Sequence, residues 1–139
     1  MTISQFFEDT LHAKFTNRVW SWGAIDPYNR VFLRVWKDQI QRDTTGEKVV
    51  VYQKNPTIHS AGFNERRKHL AAIRSGAQGF GIVCTARETS NGGRKIVDFN
   101  NSLILQLGTL SEDNRAIYAH ISARIPISEL VRTRPAHST

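Results

Sequence analysis

Between Arg18 and Trp36 the chain gathers the residue types that bind nucleic acids. This stretch holds all three tryptophans, together with Tyr28, Phe32 and the arginines Arg18, Arg30 and Arg34. Indole and phenyl rings offer faces on which bases stack, worth about 1–3 kcal/mol per base. Guanidinium groups pair with phosphate oxygens through two parallel N–H bonds. The pattern assigns Trp20, Trp22, Tyr28, Phe32 and Trp36 to stacking, and Asp26 and Asn29 to hydrogen bonds with a base edge. It assigns Arg18, Arg30, Arg34 and Lys37 to phosphates, contacts that set register without reading sequence. Arg67 and Lys68, in the densest basic run Arg66-Arg67-Lys68, join the phosphate set. Each assignment competes with a plainer one: large aromatics also build small cores, and basic side chains also cover solvated strand faces.

A β-hairpin would hold these groups. Two runs of period two flank Asp26-Pro27-Tyr28-Asn29, which is turn chemistry. With Pro27-Tyr28 as the turn centre, Ala24 lies opposite Val31, Trp22 opposite Leu33 and Trp20 opposite Val35. Those six share one face, expected to be buried. Phe32, Arg34 and Trp36 share the other, expected to meet solvent or ligand. A shift of one residue would exchange the two faces.

Other elements frame the hairpin. Ile3, Phe6, Phe7, Leu11 and Phe15 recur at helical spacing, so residues 3–15 are expected to form an amphipathic helix behind a Thr2-x-x-Gln5 capping box. Residues 37–47 read as a polar loop and 48–53 as a β-branched strand. The strongest helix runs from Asn64, as cap, to Gly76, as terminator. Phe63, Leu70, Ile73 and Ala77 form its apolar stripe. Arg66 falls within that stripe and is expected to be structural, with Arg67 and Lys68 exposed. Residues 79–86 read as a strand buried on both sides, forming a hairpin with 94–99. Another strand covers 103–110, broken at Gly108. Residues 115–125 alternate strictly, which puts Ile117, Ala119, Ile121, Ala123 and Ile125 on one face. A single helical turn at 127–130 and a loose tail over 131–139 complete the chain.

The bulk composition narrows the partners. A chain of 139 residues is expected to be one domain, spanning 1–139, with its own core. Its 19 Lys and Arg exceed its 12 Asp and Glu, and the net charge of +7 favours a polyanion. No apolar run approaches the ~20 residues that span a bilayer, so no membrane partner is expected. The N-terminus lacks the basic and apolar regions of a secretory signal, and the cytoplasm is the expected location. One cysteine, Cys84, excludes an internal disulfide framework and a cysteine zinc cluster. His59, Glu65 and His69 do not have the spacing of a zinc site. No metal and no cofactor is expected. Asp26, Asp38, Glu47, Glu65 and Asp98 are available to hold a divalent ion, but none stands in a strand-borne carboxylate-x-Lys motif. A small metal-dependent nuclease using Asp26, Asp38 or Glu65 is one alternative to a non-catalytic nucleic-acid-binding domain. A protein-interaction adaptor is the other.

The element order resembles that of the PUA-like group of small barrels, which includes the EVE, ASCH, YTH and SRA domains. The likeness rests on Trp20-Ser-Trp-Gly-Ala on an early strand, the helix Glu65-Arg66-Arg67-Lys68-His69, the strand Gly79-Phe-Gly-Ile-Val and the long closing strand around Tyr118. It covers roughly residues 17–130 and is one of architecture; no family site residue is transferred by motif. The resemblance implies an α+β fold: a strongly curved mixed sheet or small barrel with about two flanking helices. It also implies a reader of modified or flipped bases, in DNA rather than RNA, with a separate or fused nuclease domain as partner.

Overall fold

The computed structural model describes residues 2–17, 21–54, 61–88 and 94–132. Thr2 starts the chain with the expected capping box. Its hydroxyl accepts from the Gln5 amide, and the Gln5 side chain accepts from the Thr2 amide. Helix α1 (Ile3–Gln5) then widens into a π-helical turn over Phe6–Thr10. The single helix expected to reach residue 15 stops here. His12 adopts a φ of 55°, in the left-handed region, and such a residue ends a helix. The expected apolar side is nevertheless inside: Phe6, Phe7, Leu11 and Phe15 are all buried.

Among the described residues the chain then forms β1 (Gly23–Ile25), β2 (Val31–Trp36), β3 (Ile40–Asp43), β4 (Gly46–Gln53), helix α2 (Ala61–Arg74), β5 (Gly79–Glu88), β6 (Arg94–Phe99), β7 (Leu103–Glu112), β8 (Ala116–Pro126) and helix α3 (Ile127–Arg132). The strands make one mixed sheet in the order β1-β2-β5-β7-β8-β4-β3, with β6 paired to the second half of β5. β2 and β5 are parallel, which requires the long crossover that β3, β4 and α2 provide. The order is open, with β1 and β3 at its ends. The architecture is therefore α+β, rich in strands, with three helices among the described residues rather than two.

Both faces of this sheet are covered. Phe32, Phe80, Ile82, Cys84 and Ile104 meet the N-terminal segment and α3 on one face. Val31, Leu33, Val35, Val49, Val51, Leu105 and Leu107 meet Leu70 of α2 on the other. The helix begins three residues before the expected cap, at Ala61, and Gly76 with a φ of 108° follows its end, as expected.

Several local expectations change. The β1–β2 register is one residue from the expected one: Ala24 lies opposite Phe32, and Gly23 opposite Leu33. The turn holds three residues, because Asp26 and Arg30 are paired (Asp26 N donates to Arg30 O at 3.0 Å) and Asn29 takes a φ of 61°. The face carrying Phe32 is also not open. β2 is an interior strand next to parallel β5, and the N-terminal segment covers the side expected to meet a ligand. The loop expected over 37–47 contains a 3₁₀ turn (Lys37–Gln39) and β3. That strand reads as polar because it is an exposed edge, pairing only with β4. In β8, a bulge opposite Gln106–Leu107 breaks the strict alternation. Ile117, Ala119 and Ile121 enter the α2 side of the core, while Ile125 packs on the other. The break expected at Gly108 is absent: β7 continues through it to Glu112, with a register shift between Leu107 and Leu110.

Candidate functional site

The aromatic and basic groups that do converge lie along the first turns of α2. Trp22, just before β1, packs edge-on against Phe63 with ring centroids 5.0 Å apart. Phe63 in turn meets Tyr52 of β4 edge-on at 5.6 Å. Two arginines of α2 interleave with this row. The Arg66 guanidinium lies over the Trp22 ring at 5.9 Å, and that of Arg67 over the Tyr52 ring at 5.8 Å. Arg67 Nε also donates to the Tyr52 hydroxyl at 3.1 Å. All three rings are half-buried, while Arg67 and Lys68 are exposed.

Arg66 fixes this arrangement from below. Its Nη1 donates to the Val51 carbonyl at 2.6 Å, and its Nη2 to the carbonyls of Trp22 at 3.1 Å and Arg34 at 2.9 Å. Val51 is the residue that a register shift leaves out of the β4–β8 ladder, so its carbonyl is available to a side chain. One guanidinium thereby ties the β1–β2 end of the sheet to β4, across a gap that no strand ladder bridges among the described residues. Burial, reinforced by the charge of Arg34, pushes the Arg66 pKa down to about 10, which leaves it charged at neutrality.

Around Arg66 lies a polar cluster. Ser21 Oγ donates to Glu65 Oε2 at 2.9 Å and accepts from the Asn17 amide. The Glu65 charge opposes the effect of burial on Arg34, whose pKa burial lowers, and on His69. Burial also lowers the pKa of His69, with Arg66 acting in the same direction. His69 Nδ1 lies against β1: a Cβ at Gly23 would stand 3.2 Å from it and 2.5 Å from the Phe32 carbonyl, so only glycine fits there.

The residues singled out from sequence are divided by this geometry. Trp22, Arg67 and Lys68 lie in or beside the aromatic row. Arg18 and Trp20 lie outside the described residues. Arg34 is on β2 with its guanidinium over the Phe15 ring at 5.6 Å, directed into the fold. Three expectations of surface chemistry are corrected. Phe32 is fully buried, stacked on Phe80. Asp26 and Arg30 pair with each other at 2.7 Å, and both are buried. The Asp26 carboxylate also accepts from the amides of Tyr28 and Arg30, so it shapes the turn instead of facing a base. Tyr28 is half-buried beside Arg30, and Asn29 occupies the left-handed turn position. Trp36 is half-buried against the core, and Lys37 starts the 3₁₀ turn. Tyr52 and Phe63 were not read as site residues. Phe63 stands in the apolar stripe of α2, and nothing local in sequence brings Tyr52 beside it.

Other chemistries find no assembled site among the described residues. No group of three or more His, Cys, Asp and Glu side chains is placed to hold a metal ion, so the carboxylates named for a nuclease do not gather there. Glu47 instead pairs with Arg124 through two bonds, at 2.7 and 3.2 Å. Cys84 is buried, and burial pushes its thiol up to about 11, leaving it a core group. An open groove of about 420 Å³ lies elsewhere, over β3, β4 and β8, lined by Gln39, Gln41, Gln53, Lys54, Arg115 and Tyr118 among others. None of the residues assigned to bases or phosphates lines it. No helix among the described residues is long and apolar enough to cross a membrane.

No family model matches this chain, and no curated protein or solved structure matches it.

Proposed function

We propose that this chain is a nucleic-acid-binding domain whose contact surface is the Trp22–Phe63–Tyr52 row. The observation that carries the reading is the alternation of these half-buried rings with the guanidinium groups of Arg66 and Arg67. Trp22 offers a stacking face to an unstacked base, and Arg67 and Lys68 offer charge to the phosphates on either side. The net charge of +7 draws a polyanion toward that surface. The domain does no chemistry itself. In this reading it is a PUA-like relative that reads a modified or extruded base, in DNA more than RNA, for a nuclease on the same or another chain.

Fluorescence anisotropy with short labelled oligonucleotides, DNA and RNA, plain and base-modified, over a salt series, tests the proposal. Trp22→Ala should weaken binding to the preferred oligonucleotide by about 1–3 kcal/mol, roughly 5- to 150-fold, with the salt slope retained. Arg67→Ala should weaken all sequences alike and reduce the slope of log K against log salt by about one. Absence of binding to every oligonucleotide at low salt would overturn the proposal. Unchanged affinity in both variants would move the interface away from α2.

A further inference from the structure

The aromatic row has a polar floor with unused bonds. Glu65 and His69 are four residues apart on α2, and Arg66 and His69 three apart, so each of the two neighbours His69 on the side of the helix that carries it. The same side faces Ser21, Trp22 and Gly23. Each side chain holds one buried polar atom with no hydrogen-bond partner among the described residues: Glu65 Oε1, Arg66 Nε and His69 Nδ1. Arg66 and His69 are only 5% and 6% exposed. A buried polar atom left unpaired destabilises a fold, and native folds contain few of them. Here three lie on residues that face Ser21, Trp22 and Gly23.

We infer that these atoms bind a guanine base, extruded from its strand and held by its Watson–Crick edge against Glu65, Arg66 and His69. The inference rests on the nucleic-acid reading above. The donor and acceptor pattern selects the base. A carboxylate oxygen only accepts and a guanidinium Nε only donates. Neutral His69 accepts at Nδ1 when its proton is on Nε2. The ligand edge must therefore present two donors and one acceptor. Guanine does so with N1–H, the 2-amino group and O6. The Watson–Crick edges of adenine, cytosine and thymine each carry a single donor position, which leaves a buried acceptor of the site unpaired. Entry requires the half-exposed Trp22 ring to lift from the Arg66 guanidinium 5.9 Å away, and the base then stacks on that ring.

The test uses the full chain and short oligothymidylates that differ at one central position: guanine, inosine, adenine, cytosine or an abasic site. Inosine is guanine without its 2-amino group. Guanine should bind about tenfold or more tightly than inosine and the other bases, since a well-made edge contact discriminates by that order. Glu65→Gln keeps an oxygen for Ser21 and places an amide NH₂ where an acceptor stood. It should abolish the guanine preference, so that the guanine and inosine oligonucleotides bind alike. A melting temperature close to wild type shows that the variant folds; if it does not fold, the inosine comparison on the wild-type chain decides. Equal affinity for every central base, with binding intact, overturns this inference and leaves the nucleic-acid reading standing. So does a preference for cytosine, which would place the His69 proton on Nδ1. Failure to bind any of these oligonucleotides at low salt overturns both.

Discussion

Arg66→Met removes a side chain that hydrogen-bonds to both the β1–β2 end of the sheet and β4, and two opposing terms set the sign of its effect. Three hydrogen bonds from a charged group to carbonyls are lost, those to Val51, Trp22 and Arg34. At about 1.5–3 kcal/mol for each bond to a charged group, their sum is roughly 5–9 kcal/mol. Against this, a fully buried cation is relieved. A pKa pushed down to about 10 corresponds to a penalty on the charged form of about 3 kcal/mol. The carbonyl bonds win, and the variant should be less stable by about 2–6 kcal/mol. Among the described residues the side chain has no carboxylate partner within bonding distance, which separates it from buried ion pairs whose apolar replacement can be stabilising.

Urea unfolding followed by circular dichroism reads this difference directly, and heat should show a midpoint roughly 10 °C or more below wild type. Arg66→Lys separates charge from shape. A lysine keeps the cation but is a point donor that cannot span three carbonyls on different segments. It should fall nearer to Arg66→Met than to wild type. A midpoint for Arg66→Met equal to or above that of wild type would refute the reasoning, because burial would then outweigh the bonds. A lysine variant as stable as wild type would refute the role of the forked geometry.

Two further outcomes follow from buried charge. Asp26→Ala strands Arg30 inside the turn, where the two side chains are 1% and 6% exposed, and removes the acceptor of two amides. The expected loss is about 3–5 kcal/mol in urea unfolding. Adding Arg30→Met should recover part of it, and strictly additive effects would count against the pair. His69 supplies a pH dependence. Burial is the main cause that lowers its pKa in the fold, so below about pH 6.5 the unfolded chain binds the proton first. Stability is then full above that value and falls on acidification toward the folded pKa, by up to about 1.4 kcal/mol per pH unit. His69→Gln should flatten that slope; an unchanged slope in the variant would assign the dependence to other groups.

The parts of this fold legible in sequence are those governed by local periodicity. The strand of β5, its pairing with β6, the inward Arg66 and the outward Arg67 and Lys68 all follow from side-chain spacing read over a few residues. The failures have a different origin. The hairpin register depends on whether Asn29 enters the left-handed region, and that adds one residue to the turn without altering the hydrophobic pattern of β2. The wrong face of β2 was left open because an alternating strand looks half-exposed unless its parallel neighbour and the N-terminal cover are known. β3 was missed because an edge strand of Gln41, Arg42 and Asp43 carries no apolar signal. Tyr52 was missed because its place beside Phe63 is set by the bulge at Val51, a feature of pairing and not of composition.

The site also shows why a basic run cannot be read as one patch. Glu65, Arg66 and Arg67 are consecutive, yet each turn step of about 100° sends them to different surroundings. Glu65 reaches sideways to Ser21, Arg66 goes inward to three carbonyls, and Arg67 goes outward to Tyr52. Only the outward residues, Arg67 and Lys68, add to the field that a polyanion feels from outside. The inward one acts through position: by holding the Trp22 carbonyl and lying over the Trp22 ring, it sets where a stacking face stands relative to those outer charges. Loss of Arg66 should therefore impair oligonucleotide binding through the Trp22 contact and the base edge together, with the salt slope close to wild type. Loss of Arg67 should change the slope itself. The two arginines, adjacent in sequence, are separable by salt dependence alone.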